Sequence, residues 1–221
     1  MADNTSRMIA LLGAMRKQMN GAVADAMRYY GKKYGLNYGV SLPTLRSIAS
    51  EEQKDHTLAQ YLYKQQVREL RLAALHIAEP ESLTLCEASF WAEGVINSEV
   101  AEEIAFTLLG KAADAKEIIA EWSISENEFL AYAALMAAAR HSTNIDNELI
   151  TETTTIAERF PSSRIIAQGI VAMLTAAHSN NIERESVMAT ANKIKESATA
   201  ESEGFATAQY ISEELEWRLE M

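Results

Sequence analysis

The chain has 221 residues, 48% of them hydrophobic, a net charge of −11 and one cysteine, Cys86. That length buries a core without cross-links, and one cysteine excludes an internal disulfide framework, which fits a reducing compartment. No apolar run approaches the roughly 20 residues that cross a bilayer, and the N-terminus lacks a charged, then apolar, then small-residue succession, so the chain reads as cytoplasmic with no membrane partner.

Taken in chain order, the pattern is helical almost throughout. Met8, Leu11, Leu12, Met15 and Met19 keep the three-and-four spacing of one apolar stripe. The stretch NYGVSLPTLRSIASE, Asn37 to Glu51, then interrupts it with Gly39 and Pro43 ahead of Arg46. Gly39 allows a turn where a side chain would obstruct the backbone, and Pro43 suits the start of the next helix, so the loop is read as a lock for the N-terminal helices. Arg46 is read as pairing with a neighbouring carboxylate more readily than with a phosphate.

From about Asp55 the helices fall into successive pairs near 56–78, 82–110, 114–140, 145–178 and 181–221. This is loosely the 40-residue cadence of two-helix repeats. Pro80 and Pro161 each precede a new apolar-periodic run. Asp114 with Glu117, and Ser125 with Glu128, carry the spacing of a capping box. Leu149, Thr153, Ile156 and Phe160, and then Phe205, Ala208, Ile211, Leu215 and Leu219, are two further stripes. About a dozen helices result, and nothing alternates with period two. The pattern predicts an all-α fold; an α-solenoid of stacked hairpins and a compact bundle both satisfy it.

Charge is uneven along the chain. Met1 to Arg71 holds 11 Lys or Arg against 6 Asp or Glu, a net of +5, whereas the remainder has 9 against 25, a net of −16. A nucleic-acid partner, if there is one, therefore belongs with the N-terminal third. Its candidate contacts are Arg28, Lys32, Lys33, Arg46, Lys64, Arg68 and Arg71; solvated helix faces would carry the same charges.

Other chemistry is thin. His56, His76, His141 and His178 are too far apart for a metal site, which needs three or four converging ligands. Cys86 reads as a small buried hydrophobe beside Leu83 and Phe90. No glycine-rich phosphate cradle is present. Trp91, Trp122 and Trp217 read as core or rim packing, with Trp91 the one aromatic able to serve a site.

The segments MRYYGKKYGLNYGVSLPTLRSIASE, HTLAQYLYKQQVRELRLAALHIA and WSISENEFLAYAALMAAAR resemble the AlkD-like DNA alkylation repair family, over about Met1 to Asn181. Tyr38, Gly39, Val40, Pro43 and Arg46 match its loop and following helix; Arg68, Glu69, Arg71, Ala74 and Leu75 match the next. The resemblance implies HEAT-like or armadillo-type helical repeats in a single curved domain over 1–221. Residues 1–55 would form N-terminal helices and the Gly/Pro loop, 56–180 the repeats and 181–221 a cap. It also implies excision of a positively charged alkylated purine, without cofactor or metal. Such a site holds tryptophans, a carboxylate facing the cationic sugar and an arginine on the phosphate.

The family's Trp-Trp-Asp-x-x-Asp run falls on Asn97, Ser98, Glu99, Val100, Ala101 and Glu102. Both tryptophans are absent, Glu99 and Glu102 stand at the carboxylate positions, Tyr132 falls where the phosphate-binding arginine belongs, and a later aromatic position falls near Ile170. The resemblance therefore implies a DNA-binding relative, a monomer on duplex DNA, in which base excision is lost or weak. A non-enzymatic repeat scaffold with a protein partner on its concave surface is the alternative.

Overall fold

The computed structural model describes residues 3–198 and 202–220. Among them are thirteen α-helices, a few short 3-10 turns and no β-strand. The chain divides into two compact units, Met1–Ala113 and Asp114–Met221.

The first unit contains α1 (Asn4–Arg16), α2 (Gly21–Tyr29), α3 (Leu42–Ala49), α4 (His56–Tyr63), α5 (Arg68–Ile77), α6 (Ala88–Ala92) and α7 (Ser98–Thr107). Short polar side chains start most of them. Asp3, Asn20, Ser41, Asp55 and Asn97 each accept a backbone N–H of the first turn, as in Asp55 to Leu58 N at 2.9 Å. Such a cap satisfies an amide that the helix itself leaves without a partner. Pro43 lies in the first turn of α3, where its missing N–H is not needed.

α5 is the axis of this unit and packs against α1, α3, α4 and α7. Of its residues only His76 is not buried. Leu70, Leu72, Leu75 and Ile77 join Met15, Leu45, Leu58, Leu62, Trp91, Val100 and Ile104 in the core. Each such side chain contributes about 1.5–3 kcal/mol of burial.

The second unit holds α8 (Ala115–Ser123), α9 (Glu128–Arg140), α10 (Asn147–Arg159), α11 (Arg164–Ser179), α12 (Arg184–Ser197) and α13 (Phe205–Glu220). Within it α9, α11 and α13 pack side by side as one layer, and α8, α10 and α12 as the other. This is the arrangement expected of stacked hairpins. Gly169 makes the α9–α11 approach possible: a Cβ there would stand 3.1 Å from both Leu135 Cδ1 and Tyr132 Cδ2.

The pairs expected at 56–78, 82–110, 114–140, 145–178 and 181–221 coincide with successive hairpins from α4 to α13. The two expected capping boxes do not form. Asp114, at φ −104° and ψ 40°, makes no side-chain cap bond to α8, and α9 is capped by Asn127, which accepts from Phe129 N at 2.9 Å. Pro80 opens a 3-10 turn, Pro80–Ser82, in place of a helix. Cys86 is exposed, contrary to expectation, because it sits in the 3-10 turn Leu85–Glu87 where the helical register does not run.

Candidate nucleic-acid interface

The loop between α2 and α3 is fastened at every step. Gly31, at φ 81°, ends the turn after α2. Leu36 then donates its N–H to Gln66 O at 2.8 Å and accepts from Arg68 N at 2.9 Å, making a parallel bridge with Val67. That carbonyl satisfies an amide at the start of α5, a helix with no side-chain cap. Tyr38 O accepts from Asn20 N at 2.8 Å, and the buried Glu69 carboxylate accepts from Tyr38 N at 3.2 Å and Val40 N at 3.3 Å. Gly39 has φ 69°, and a Cβ on it would overlap Asn20 O and lie 2.8 Å from Ala24 N. Only glycine combines that conformation with that approach.

Beneath the loop lies a buried ion network. Arg68, fully buried, donates Nε to Glu99 Oε2 at 2.8 Å and Nη2 to Glu99 Oε1 at 2.6 Å. Its Nη1 donates to Val40 O at 2.9 Å and to Glu69 Oε1 at 3.1 Å. The Tyr34 hydroxyl donates to Glu99 Oε2 at 2.6 Å and lies 3.2 Å from Asn97 Oδ1. Burial alone would raise the Glu99 pKa, but the bonds and charge of Arg68 outweigh it and hold the carboxyl below its ordinary range. Burial, and then the Glu99 charge, push the Tyr34 hydroxyl well above its ordinary value, so it stays a donor.

On the next turn of α7, Glu103 joins Arg46 and His76. Arg46 Nη2 donates to Glu103 Oε1, and His76 Nε2 lies 2.7 Å from Oε2. Burial opposes ionisation of Glu103 as well, and His76 followed by Arg46 overcomes it and lowers the pKa.

Outside the network the cations gather. A pocket of about 370 Å³ is lined by Ala24, Arg28, Lys32, Lys33 and Tyr34 with residues 35–37, and no carboxylate lines it. Lys32 Nζ donates to Ser98 Oγ at 3.0 Å, which ties one wall to the start of α7. The Arg28 pair with Asp25, at 3.3 Å, is three-quarters exposed on both sides and holds its guanidinium only weakly.

The sequence model of the family described as DNA alkylation repair enzyme matches residues 11–199. The chain belongs to that family. A solved structure, described as a new family of proteins related to the HEAT-like repeat DNA glycosylases with affinity for branched DNA structures, is similar at TM-score 0.69 and 14% identity. The match covers 87% of this chain and 83% of that one. At that identity the likeness establishes the fold, a HEAT-like helical repeat. No curated protein sequence matches.

As a DNA alkylation repair family member, the chain uses its Asn97–Glu102 segment in a specific way. Asn97 caps α7, accepting from Glu99 N at 3.0 Å and Val100 N at 3.1 Å. Ser98 receives Lys32, Glu99 receives Arg68, and Val100 and Ala101 are core. Glu102 is half-buried on α7. In the second unit Tyr132 and Ile170 are buried.

Of the candidate cations, the structure brings Arg28, Lys32 and Lys33 together. It places Arg46 on Glu103 and Lys64 Nζ 5.2 Å from the centre of the Phe90 ring. Arg68 and Arg71 do not line a groove: both are buried, Arg71 with Nη1 3.3 Å from Gly94 O and its guanidinium over Tyr63. Trp91 is core too, its ring 4.7 Å from Tyr63. Sequence reasoning missed Tyr34, Glu69, Glu103 and His76. Glu69 stands between Arg68 and Arg71, and Glu103 follows Glu99 and Glu102, so nothing in the spacing marks either as a buried charge. Among the described residues no three His, Cys, Asp or Glu converge as a metal site, and no helix is long and apolar enough to cross a membrane.

Proposed function

We propose that this family member binds DNA through the Arg28–Lys32–Lys33 pocket and that base excision is lost or weak in it. The observation that carries this reading is the pocket itself, with three cations and no lining carboxylate, on a loop fastened to α5. A phosphate backbone is held by such groups without regard to sequence. The affinity for branched DNA ascribed to the solved relative supports a DNA partner.

Glu99 bears directly on excision. A carboxylate that stabilises a cationic sugar must face substrate with its charge available. Here both oxygens of Glu99 are engaged by Arg68 and Tyr34, and Asn97 and Ser98 stand where the resemblance expects tryptophans. Glu102, half-buried on α7, is the other carboxylate of the segment. A second reading, a basic protein partner, is favoured by the second unit, whose sequence holds 18 Asp or Glu against 8 Lys or Arg.

The test is binding to duplex DNA, with and without an alkylated purine, across a salt series with base release assayed in parallel. We expect salt-dependent binding without release. Release that disappears in Glu102→Gln would establish an active glycosylase, and absence of any DNA binding would leave the protein-scaffold reading.

A further inference from the structure

We propose that Tyr29 and Tyr30 form a stacking platform for unpaired bases, so that the protein engages DNA where a strand leaves the duplex. This rests on the DNA-binding reading above and assigns it a substrate form. The two are the most exposed large hydrophobic residues among the described ones, at 84% and 78%. They sit edge to face, with centroids 5.2 Å apart and planes at 85°. An edge-on pair satisfies one contact and leaves ring faces open to a third aromatic plane.

Their position supplies the occupant. Tyr29 ends α2 and Tyr30 is its C-cap, and Gly31 turns the chain at φ 81°. The residues on either side, Arg28 before and Lys32 and Lys33 after, are the cations of the pocket. Between Gly21 and Tyr38 the sequence has one acidic residue, Asp25. Open rings flanked by cations match a chain of alternating aromatic planes and phosphates, which is single-stranded nucleic acid. Within a duplex the base faces are covered by their neighbours, so the rings find a partner only at a fork, flap or gap. Phosphates of the adjoining strand would reach the pocket.

The experiment uses the full chain with duplex and forked oligonucleotides of equal length, the fork carrying 2-aminopurine at the first unpaired position. Wild type is expected to bind the fork more tightly and to quench the 2-aminopurine. Tyr29→Ala/Tyr30→Ala should lose that preference, roughly tenfold per ring, and the quenching, while keeping duplex affinity and its salt slope. Tyr29→Phe/Tyr30→Phe should retain both, because stacking needs the ring and not the hydroxyl. Both rings are largely solvent-exposed, and an unchanged melting temperature confirms that the variants fold. A fork preference that survives the alanine pair overturns the platform and leaves the DNA reading standing. No binding to either DNA overturns both. Tyrosine-dependent binding to anionic phospholipid vesicles, with no effect on DNA, overturns the platform in favour of a membrane surface.

Discussion

Arg68 clasps Glu99 through two parallel bonds, 2.8 Å and 2.6 Å long, with the arginine wholly out of solvent. Removing one partner leaves the other's charge buried and uncompensated. Arg68→Ala is therefore expected to lower stability by about 3–5 kcal/mol, read from the midpoint of urea unfolding. Arg68→Met with Glu99→Gln should recover only part of that loss, because Glu69, which Arg68 Nη1 also serves, keeps its buried charge. If the double variant is as unstable as the single one, the pair is not what sustains α5 against α7.

Acid should loosen the first unit. The Glu99 and Glu103 carboxyls are held below their ordinary value of 4.5, by Arg68 and by His76 with Arg46, against a burial effect of opposite sign. A depressed carboxyl contributes its full stabilisation above the unfolded value and loses it as pH falls through the folded one. Thermal midpoints should therefore be flat from pH 7 to about 5 and drop below about 4.5. Glu103→Gln should flatten that decline while lowering the midpoint at neutral pH.

Gly39 is expected to refuse substitution. Gly39→Ala adds a side chain at φ 69° against Asn20 O and Ala24 N, combining backbone strain with a clash that neither backbone group can relieve by rotation. A loss of about 2–4 kcal/mol follows. Gly31→Ala has a positive φ but open space around it, so it should cost distinctly less. Chemical denaturation of the two variants side by side measures the difference.

The pocket cations should act on salt dependence more than on sequence preference. Arg28→Ala and Lys33→Ala are each expected to weaken duplex binding uniformly across sequences and to reduce the slope of log affinity against log salt by about 0.9. Arg71→Ala, which removes a buried group, should change stability and leave that slope unaltered. Fluorescence anisotropy titrations between low and moderate salt distinguish these cases.

The helices and their pairing are legible because they depend on local information: three-and-four apolar spacing, a polar residue before most runs, and turns of suitable length. Gly39 and Pro43 are legible for the same reason. Buried charge is not. Arg68 and Arg71 sit in a basic third of the chain and look like surface cations. Their fate is decided by Glu99 and Gly94, 31 and 23 residues away in sequence, and pairing at that range leaves no periodic trace. Cys86 lies in a 3-10 turn, which interrupts the helical register that would bury it. Arg46, on a helix beside a loop, suits a carboxylate, and Glu103 is the one it finds.

The rung between Leu36 and Val67 has a bearing on kinetics. A basic loop on a flexible tether would have to be immobilised each time a ligand arrived, and that ordering would be subtracted from every contact made. Here the segment is already stitched to the scaffold on both sides of Leu36, so its shape precedes the encounter. Capture on such a surface resembles docking onto a rigid template, and prising the stitch open with Gly35→Ala, whose Cβ would stand 2.7 Å from Gln66 O, should slow arrival even though no charge is altered.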